Sequence, residues 1–335
     1  MRRRWRSWSK LRRTLIAVTA AIVLLVVAPL GSFAISLRVQ YAGEPSADAR
    51  TRNHDALWLG HAWVDGRKTA ADVTALGARL RGTGIRDLYV HTGPLEHDGS
   101  LPLAKVSPKA RWFVEAIRAA APGVRVQAWL GDVVRPGKDP GMNLDDPGVR
   151  QKVVASAKSV LEQGFQGIHY DFEPVRSGSK GYLAVLDETR ALGTTLSVAA
   201  AQIDPLWYLH SIPVDKWWSQ DYFRQVAERV NQIAVMSYDT AMPLESLYGG
   251  YVAKQTNLAL AVTPPGTDLL MGLPAYWESN PAHWSHAETV TAAVRGARLG
   301  LGDSPRQNFG LALYVDFAAT DADWAAYRDG WCVSP

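Results

Sequence analysis

The feature that most constrains the fold is a repeated alternation of short apolar segments with longer amphipathic segments. The short segments are rich in β-branched and aromatic residues, and the longer ones are rich in Ala and Arg with helical periodicity. Strand–helix units repeated eight times predict a parallel sheet closed into a (β/α)8 or TIM barrel. The predicted strands cover residues 56–64, 87–91, 125–130, 167–172, 195–200, 232–238, 269–275 and 309–315.

Helix start signals support these units, because Ser107-Pro108 and Asp146-Pro147 each place a capping residue before a proline. An open doubly wound sheet is the alternative fold, but no Gly-rich phosphate loop follows the first strand. Two long connections, 202–221 and 240–268, carry aromatic residues and are expected to lie on the carboxyl face of the barrel. The predicted helices cover residues 70–81, 108–120, 147–163, 181–192, 222–230, 286–299 and 321–328.

The N-terminal region is expected to lie outside the barrel. Residues 1–13 carry seven basic residues and no acidic one, and residues 14–37 carry no charged residue at all. This pattern predicts a signal anchor, or a signal peptide cleaved near residues 32–34. We therefore expect a basic cytoplasmic segment at 1–13, a transmembrane segment at 14–37, a linker at 38–54 and an extracytoplasmic barrel at 55–335.

Composition excludes several classes of function. Without residues 1–13 the chain has 29 basic and 32 acidic residues, a net charge of −3, which gives no sign of a nucleic-acid surface. Cys332 is the only cysteine, so neither an intramolecular disulfide nor a cysteine-based metal site is expected. We expect no metal and no cofactor. The chain has 13 Trp against 7 Phe, a bias that favours carbohydrate binding because sugar rings stack on flat aromatic faces.

The strongest signal for chemistry is the fourth predicted strand, Gly-Ile-His-Tyr-Asp-Phe-Glu-Pro at 167–174. Residues two apart on a strand share a face, so His169, Asp171 and Glu173 are predicted to face the barrel axis. Neighbouring carboxyl groups push their pKa values apart. Glu173, nearest the open end, is the predicted proton donor, with Asp171 as its partner. An internal ion pair with Arg125 is the structural alternative.

A second polar segment, Val-Met-Ser-Tyr-Asp at 235–239, ends the sixth predicted strand. Met236 and Tyr238 share a face of this strand, and Asp239 begins the following loop. A tyrosine hydroxyl at the mouth of a barrel is placed to donate a hydrogen bond to a substrate carbonyl.

Together the two segments resemble the glycoside hydrolase family 18 chitinases and their relatives. That family's fourth strand reads Asp-Gly-x-Asp-x-Asp-x-Glu, and its sixth ends Met-x-Tyr-Asp or Met-x-Tyr-Asn. The matching residues here are Gly167, Asp171 and Glu173 in the first pattern and Met236, Tyr238 and Asp239 in the second. Residues 272–276, Gly-Leu-Pro-Ala-Tyr, also look like the family's seventh strand.

The resemblance implies a retaining hydrolase with substrate-assisted catalysis on glycans that contain N-acetylhexosamine. Glu173 would act as acid and then as base, while the substrate's 2-acetamido carbonyl attacks the anomeric carbon. Asp171 would orient the acetamido group, Tyr238 would bond its oxygen, and Asp239 would help to position the distorted sugar. The further predicted substrate-binding residues are Met236, His169, Tyr276, Tyr314 and Trp63.

The sequence also departs from the family pattern. Gln166 and His169 replace the first two aspartates of the fourth strand, and Tyr314 stands where the family has a tryptophan. The third-strand Ser-x-Gly-Gly is Trp-Leu-Gly-Asp at 129–132. The chain is therefore expected to be a divergent relative.

Three alternatives stay open. The first is a glycan-binding barrel without catalysis. The second is a glycosidase that uses two protein carboxylates on sugars without an acetamido group, with Asp132, Glu245 and Asp316 as the carboxylates to consider. The third is a membrane scaffold without a sugar ligand.

Overall fold

A computed structural model describes residues 2–23, 27–212 and 214–332 of the chain. The strands are β1 Asp55–Leu59, β2 Ile85–His91, β3 Arg125–Val133, β4 Gly167–Glu173, β5 Thr195–Ala200, β6 Gln202–Ile203, β7 Trp217–Trp218, β8 Gln232–Val235, β9 Asp268–Pro274 and β10 Phe309–Tyr314. Eight of them form a closed parallel barrel in the order β1, β2, β3, β4, β5, β8, β9, β10, and β10 pairs with β1. This confirms the predicted TIM barrel. Strands β6 and β7 form a small separate ribbon.

Most barrel strands are followed by a helix that packs on the outside of the barrel. Asp146 accepts a hydrogen bond from the Gly148 amide at 2.7 Å, and Pro147 begins α6, as its start signal predicts. The helices are α1 Arg2–Ile22, α2 Ala28–Tyr41, α3 Ala70–Leu80, α4 Leu103–Val106, α5 Ala110–Ala120, α6 Pro147–Leu161, α7 Lys180–Arg190, α8 Gln220–Ala227, α9 Glu245–Val262, α10 Val290–Leu301 and α11 Asp321–Trp331.

Alternation along the strands separates an apolar outer layer from a mixed inner layer. On β1, Leu57 and Leu59 pack against the helices, whereas Trp58 belongs to the cluster inside the barrel. On β4, Ile168 and Tyr170 lie in the outer layer, as predicted. The odd-numbered residues of β4 therefore face the barrel axis.

The barrel interior contains a buried hydrogen-bonded layer below the carboxyl end. Gln127 donates to Asp87 at 2.8 Å and to Gln232 at 2.6 Å, and Gln232 donates to the other oxygen of Asp87 at 2.8 Å. Arg125 pairs with Asp87 at 2.5 Å, so it neutralises this layer and not the β4 carboxyl groups. The structural alternative, an ion pair of Arg125 with Asp171 or Glu173, is thereby wrong.

Helix α9 lies within residues 240–268, which the sequence predicts to be a loop. The helix packs between α2 and α10, so most of its circumference is buried. Its buried residues lie on every face and include Gly249, Gly250 and the polar Gln255, and a helix of this kind gives no amphipathic period. The sequence signal for a helix was therefore absent although the helix has 18 residues.

Residues 38–54 differ from the expected linker, because they are held against the barrel. Helix α2 continues to Tyr41, whose hydroxyl donates to Glu245 at 2.6 Å. Arg295 then donates to the Gly43 carbonyl at 2.7 Å, and Arg298 donates to the Ala49 carbonyl at 2.8 Å. Two arginine side chains of α10 thus hold residues 43–49 in place, although the composition of this segment is typical of a flexible linker.

The predicted transmembrane segment at 14–37 is divided between α1 and α2. Residues 24–26, in its middle, lie outside the described residues. Within the described part of the chain, no helix has both the length and the apolar character that crossing a bilayer requires. The structure therefore does not confirm the signal anchor.

The contact between α2 and α9 gives a first prediction. A Cβ added at Gly250 would lie 2.0 Å from the Leu37 carbonyl oxygen, so Gly250→Ala cannot be accommodated without moving α2 away from α9. Overpacking of this kind costs about 1–3 kcal/mol. We expect faster amide hydrogen exchange at residues 37–49 and a lower Tm.

The matched control is Gly266→Ala, because a Cβ at Gly266 meets no atom within 4 Å. Unchanged exchange at residues 37–49 in Gly250→Ala would mean that this segment is not held by α9.

Candidate active site

A cavity of about 530 Å³ opens at the carboxyl ends of the barrel strands. Barrel enzymes bind their substrates at this end, and the volume is in the range of small-molecule sites. Seven of the nine residues that the sequence predicts for the site line this cavity. They are Asp171, Glu173, Met236, Tyr238, Asp239, Tyr276 and Tyr314.

His169 lies beneath the cavity, fully buried, and does not line it. The Trp58 indole N–H donates to His169 Nε2 at 3.0 Å, so Nε2 is an acceptor and Nδ1 carries the proton. Nδ1–H then donates to the Ser197 hydroxyl at 2.7 Å, which donates to Gln127 at 2.8 Å. Burial lowers the pKa of His169 well below its ordinary value. His169 therefore does not reach the cavity as expected. Its neutral imidazole instead connects the strands of the barrel through hydrogen bonds.

Trp63 also lies away from the cavity, contrary to its predicted sugar-binding role. It sits in a short helical turn after β1, packs on Phe113 and donates to Asp316 at 2.7 Å. The aromatic residue from β1 that does reach the cavity is Trp58. Period-two alternation on β1 places Trp58 on the inner face and would have identified it.

The carboxylates named for a two-carboxylate mechanism have partners elsewhere. Asp132 contacts His97 at 2.9 Å, and Glu245 accepts the Tyr41 hydroxyl at 2.6 Å. Asp316 accepts the Trp63 indole and the Gly60 amide. Since none of the three lines the cavity, none is placed to act with Glu173.

Asp171 and Glu173 form the acidic centre of the cavity. Asp171 Oδ2 accepts the Trp129 indole N–H at 2.9 Å, whereas its Oδ1 atom has no hydrogen-bond partner among the described residues. Glu173 is the last residue of β4, and its side chain remains accessible from the cavity. The strand spacing separates the two residues by about 6.6–7 Å along the chain.

Both carboxyl groups favour the protonated form more than free carboxyl groups do. Burial raises the pKa of Asp171, and the Trp129 N–H partly opposes this rise. Burial, and then the negative charges of Asp171 and Asp239, raise the pKa of Glu173. Glu173 is thus suited to donate a proton near neutral pH.

Three tyrosines form the wall opposite β4. The rings of Tyr238 and Tyr314 stack at 5.2 Å, and Tyr276 packs edge-on against Tyr238 at 5.9 Å. The Tyr276 hydroxyl donates to Asp239 Oδ1 at 2.6 Å. Tyr238 is nearly buried but lines the cavity, and within the described residues no side chain bonds its hydroxyl.

Asp239 has the opposite electrostatic environment from Asp171 and Glu173. Burial alone would raise its pKa, but His283, Tyr276 and Lys216 outweigh burial and lower it. His283 Nδ1 lies 3.3 Å from Asp239 Oδ1 and 3.4 Å from Glu288 Oε2. Burial lowers the pKa of His283, but the two carboxylates prevail and raise it to about 9. The pKa of Asp239 is therefore lowered while that of Glu173 is raised.

Sequence reasoning missed several residues of this region. Lys216 lines the cavity and donates to the Asp239 carbonyl at 2.7 Å. Gln202 also lines it and donates to the Tyr238 carbonyl at 2.7 Å. Both belong to the connection 202–221, which was expected to reach the site but whose polar residues have no recognisable spacing. His283 and Glu288 lie in the connection before α10 and likewise form no sequence motif.

No protein-family model and no curated protein sequence matches the chain. Solved structures do match. The spore cortex-lytic enzyme SleL of Bacillus megaterium is 14% identical with a TM-score of 0.59, over 87% of this chain and 76% of that one. A class V chitinase from Pseudomonas fluorescens is 15% identical with a TM-score of 0.57, over 82% of this chain and 98% of that one.

A class V chitinase from Nicotiana tobaccum is 13% identical with a TM-score of 0.56, over 84% of this chain and 99% of that one. At such identities the likeness shows the fold. The resemblance to a divergent family 18 TIM barrel is thereby confirmed as a resemblance of fold.

The Trp129 contact gives a second prediction. Trp129→Phe removes the only side-chain donor to Asp171 found among the described residues, and that donor stabilises the charged carboxylate. We therefore expect the pKa of Asp171 to rise further, measured by carboxyl ¹³C NMR titration of the protein without substrate.

Trp284→Phe, at an exposed tryptophan outside the cavity lining, is the control and should leave the titration unchanged. A fall in the Asp171 pKa in Trp129→Phe would contradict the assigned hydrogen bond.

Proposed function

We propose that the protein is a retaining glycoside hydrolase that acts on glycans containing N-acetylhexosamine by substrate-assisted catalysis. One observation carries the proposal. Glu173, whose pKa is raised, lines the same cavity as Asp171, which has an oxygen atom without a partner among the described residues, and as Tyr238, whose hydroxyl can donate.

These two groups complement a secondary amide. A 2-acetamido group offers one N–H donor and one carbonyl acceptor. Asp171 would accept the hydrogen bond from the N–H. The Tyr238 hydroxyl would donate to the carbonyl oxygen. A sugar with a 2-hydroxyl instead of the acetamido group would lack the carbonyl oxygen that accepts from Tyr238.

The reaction follows from this placement. Glu173 donates its proton to the glycosidic oxygen as the bond to the anomeric carbon breaks, and the leaving sugar departs as an alcohol. The acetamido carbonyl oxygen bonds to the anomeric carbon from the opposite face, and ionised Asp171 stabilises the positive charge on the amide. Glu173, now a carboxylate, removes a proton from water, and the water oxygen replaces the acetamido oxygen. Two displacements retain the anomeric configuration.

Charge in the cavity supports a neutral substrate. Its lining includes the carboxyl groups of Asp171, Glu173, Asp239 and Glu278. Among the residues that line it in the described structure, Lys216 is the only lysine or arginine. Polyanionic glycans would be repelled by this lining. The solved structures of similar fold are named as chitinases and a cortex-lytic enzyme, which agrees with a glycan substrate.

We also propose that the barrel acts outside the cytoplasm. The basis is the sequence alone, seven basic residues at 1–13 followed by an uncharged stretch at 14–37.

The test is hydrolysis of a chromogenic N-acetylglucosamine oligosaccharide by the full chain. We expect Glu173→Gln to lower kcat by about 10²–10⁴-fold, because general acid catalysis contributes that much. Glu278→Gln is the matched control, since Glu278 also lines the cavity but lies in the connection after β9. Binding of the oligosaccharide to Glu173→Gln, measured by calorimetry, should persist.

The outcomes separate the alternatives. Oligosaccharide binding by the wild type without any hydrolysis would instead identify a glycan-binding barrel. Equal hydrolysis of the matching glucose oligosaccharide would exclude substrate assistance. A similar fall of kcat in Glu173→Gln and Glu278→Gln would show that Glu173 is not the specific general acid.

A further inference from the structure

A partly buried cluster at the cavity wall has the composition of a metal site. Asp239 follows β8, and His283 and Glu288 lie in the connection between β9 and α10. Within the described residues, one ligand atom from each of the three lies within 4.8 Å of the others. Asp239 lines the cavity, whereas His283 and Glu288 do not, so the cluster lies on the far side of the wall.

The distances in this cluster suit a shared cation better than a hydrogen bond. His283 Nδ1 is 3.3 Å from Asp239 Oδ1 and 3.4 Å from Glu288 Oε2. Charge-assisted N–H···O bonds measure about 2.7–2.9 Å. Ligand bonds of about 2.0–2.1 Å at tetrahedral angles place the ligand atoms about 3.3–3.4 Å apart. The two His283 separations match this tetrahedral edge, and the oxygen atoms of Asp239 and Glu288 lie within 4.8 Å of each other.

Polar atoms without partners point to the same conclusion. His283 is fully buried, and neither of its ring nitrogens has a hydrogen-bond partner among the described residues. Buried polar atoms are normally satisfied, so two unpartnered ring nitrogens on one buried imidazole indicate that something polar belongs there. The buried hydroxyl of Tyr248, whose pKa is raised by burial and then by the charges of Glu288 and Asp239, also has no partner in the described part of the chain.

The two carboxylates are held by other groups in the way that metal ligands are. Glu288 accepts hydrogen bonds from the Thr240 amide and hydroxyl, each at 3.0 Å. Asp239 Oδ1 accepts the Tyr276 hydroxyl at 2.6 Å. Such outer contacts orient ligands and are a regular feature of protein metal sites. Without a metal, a proton on His283 supplies the positive charge, but with the poor hydrogen-bond geometry described above.

We propose that Asp239, His283 and Glu288 bind one divalent transition-metal ion, with Zn²⁺ as the preferred ion. One imidazole and two carboxylates suit Zn²⁺ or Mn²⁺, whereas Ca²⁺ requires six to eight oxygen ligands. The ion joins the loop after β8 to the loop before α10 and fixes Asp239 in the cavity wall. Its role is to position Asp239 and not to activate water.

The experiment measures metal content and metal binding in the full chain without a polyhistidine tag. The protein is treated with a chelator, dialysed against Zn²⁺ and analysed by elemental mass spectrometry and calorimetry. We expect about one bound Zn²⁺ per chain and a Tm that rises with the Zn²⁺ concentration, because an ion that binds the folded state stabilises it. Co²⁺ in place of Zn²⁺ should give the intense visible bands of a tetrahedral site.

The variants are His283→Gln and Glu288→Gln, both of which keep hydrogen-bonding side chains of similar size. Each should lose the bound ion. His286→Gln is the matched control, because His286 lies on the same loop but is exposed and contacts the Pro243 carbonyl. It should bind Zn²⁺ as the wild type does, and circular dichroism checks that each variant folds.

No bound Zn²⁺, Mn²⁺ or Co²⁺ in the folded wild type would overturn the proposal. Equal Zn²⁺ binding by wild type and a folded His283→Gln variant would also overturn it, since it would place the ion elsewhere. Because no substrate is used, the result is independent of the proposed glycosidase activity.

Discussion

The hydrogen bond from the Trp58 indole to His169 Nε2 is the interaction on which the acidic centre depends. An indole can only donate, so the imidazole must accept at Nε2 and keep its single proton at Nδ1. His169 is consequently neutral and supplies no positive charge beneath Asp171. Burial, and then the charge of Asp171, raise the pKa of Glu173, whereas the Trp129 indole partly opposes the rise at Asp171.

The cavity separates carboxyl groups by their surroundings. Asp171 and Glu173 on β4 have indole and aromatic neighbours, whereas Asp239 has an imidazole, a phenol and an ammonium group nearby. The pKa values of carboxyl groups within one cavity are therefore shifted in opposite directions, the arrangement that acid–base catalysis requires. Arg125 is kept out of this balance because Asp87 pairs with it deeper in the barrel.

The barrel and its acidic strand were predictable because both depend on local periodicity. Alternation on 167–173 assigned Asp171 and Glu173 to the inner face, and β4 has them there. The same reasoning failed for Trp63, because the chain leaves β1 at Leu59 and turns. Sequence could not reveal α9, which has buried residues on all sides and therefore no amphipathic period, nor the cluster of Asp239 with His283 and Glu288. Those contacts join residues far apart in the chain, and only the closed barrel brings them together.

The contact at the end of α2 also links the chain before the barrel to the cavity wall. Tyr41 donates a hydrogen bond to Glu245, the first residue of α9, and Glu245 follows the loop that carries Asp239. Because α2 also packs along α9, a displacement of α2 would be transmitted to α9 and to the start of that loop. The chain before residue 55 is in this sense a support for the cavity wall, and shortening it would alter the wall as well as the N-terminus.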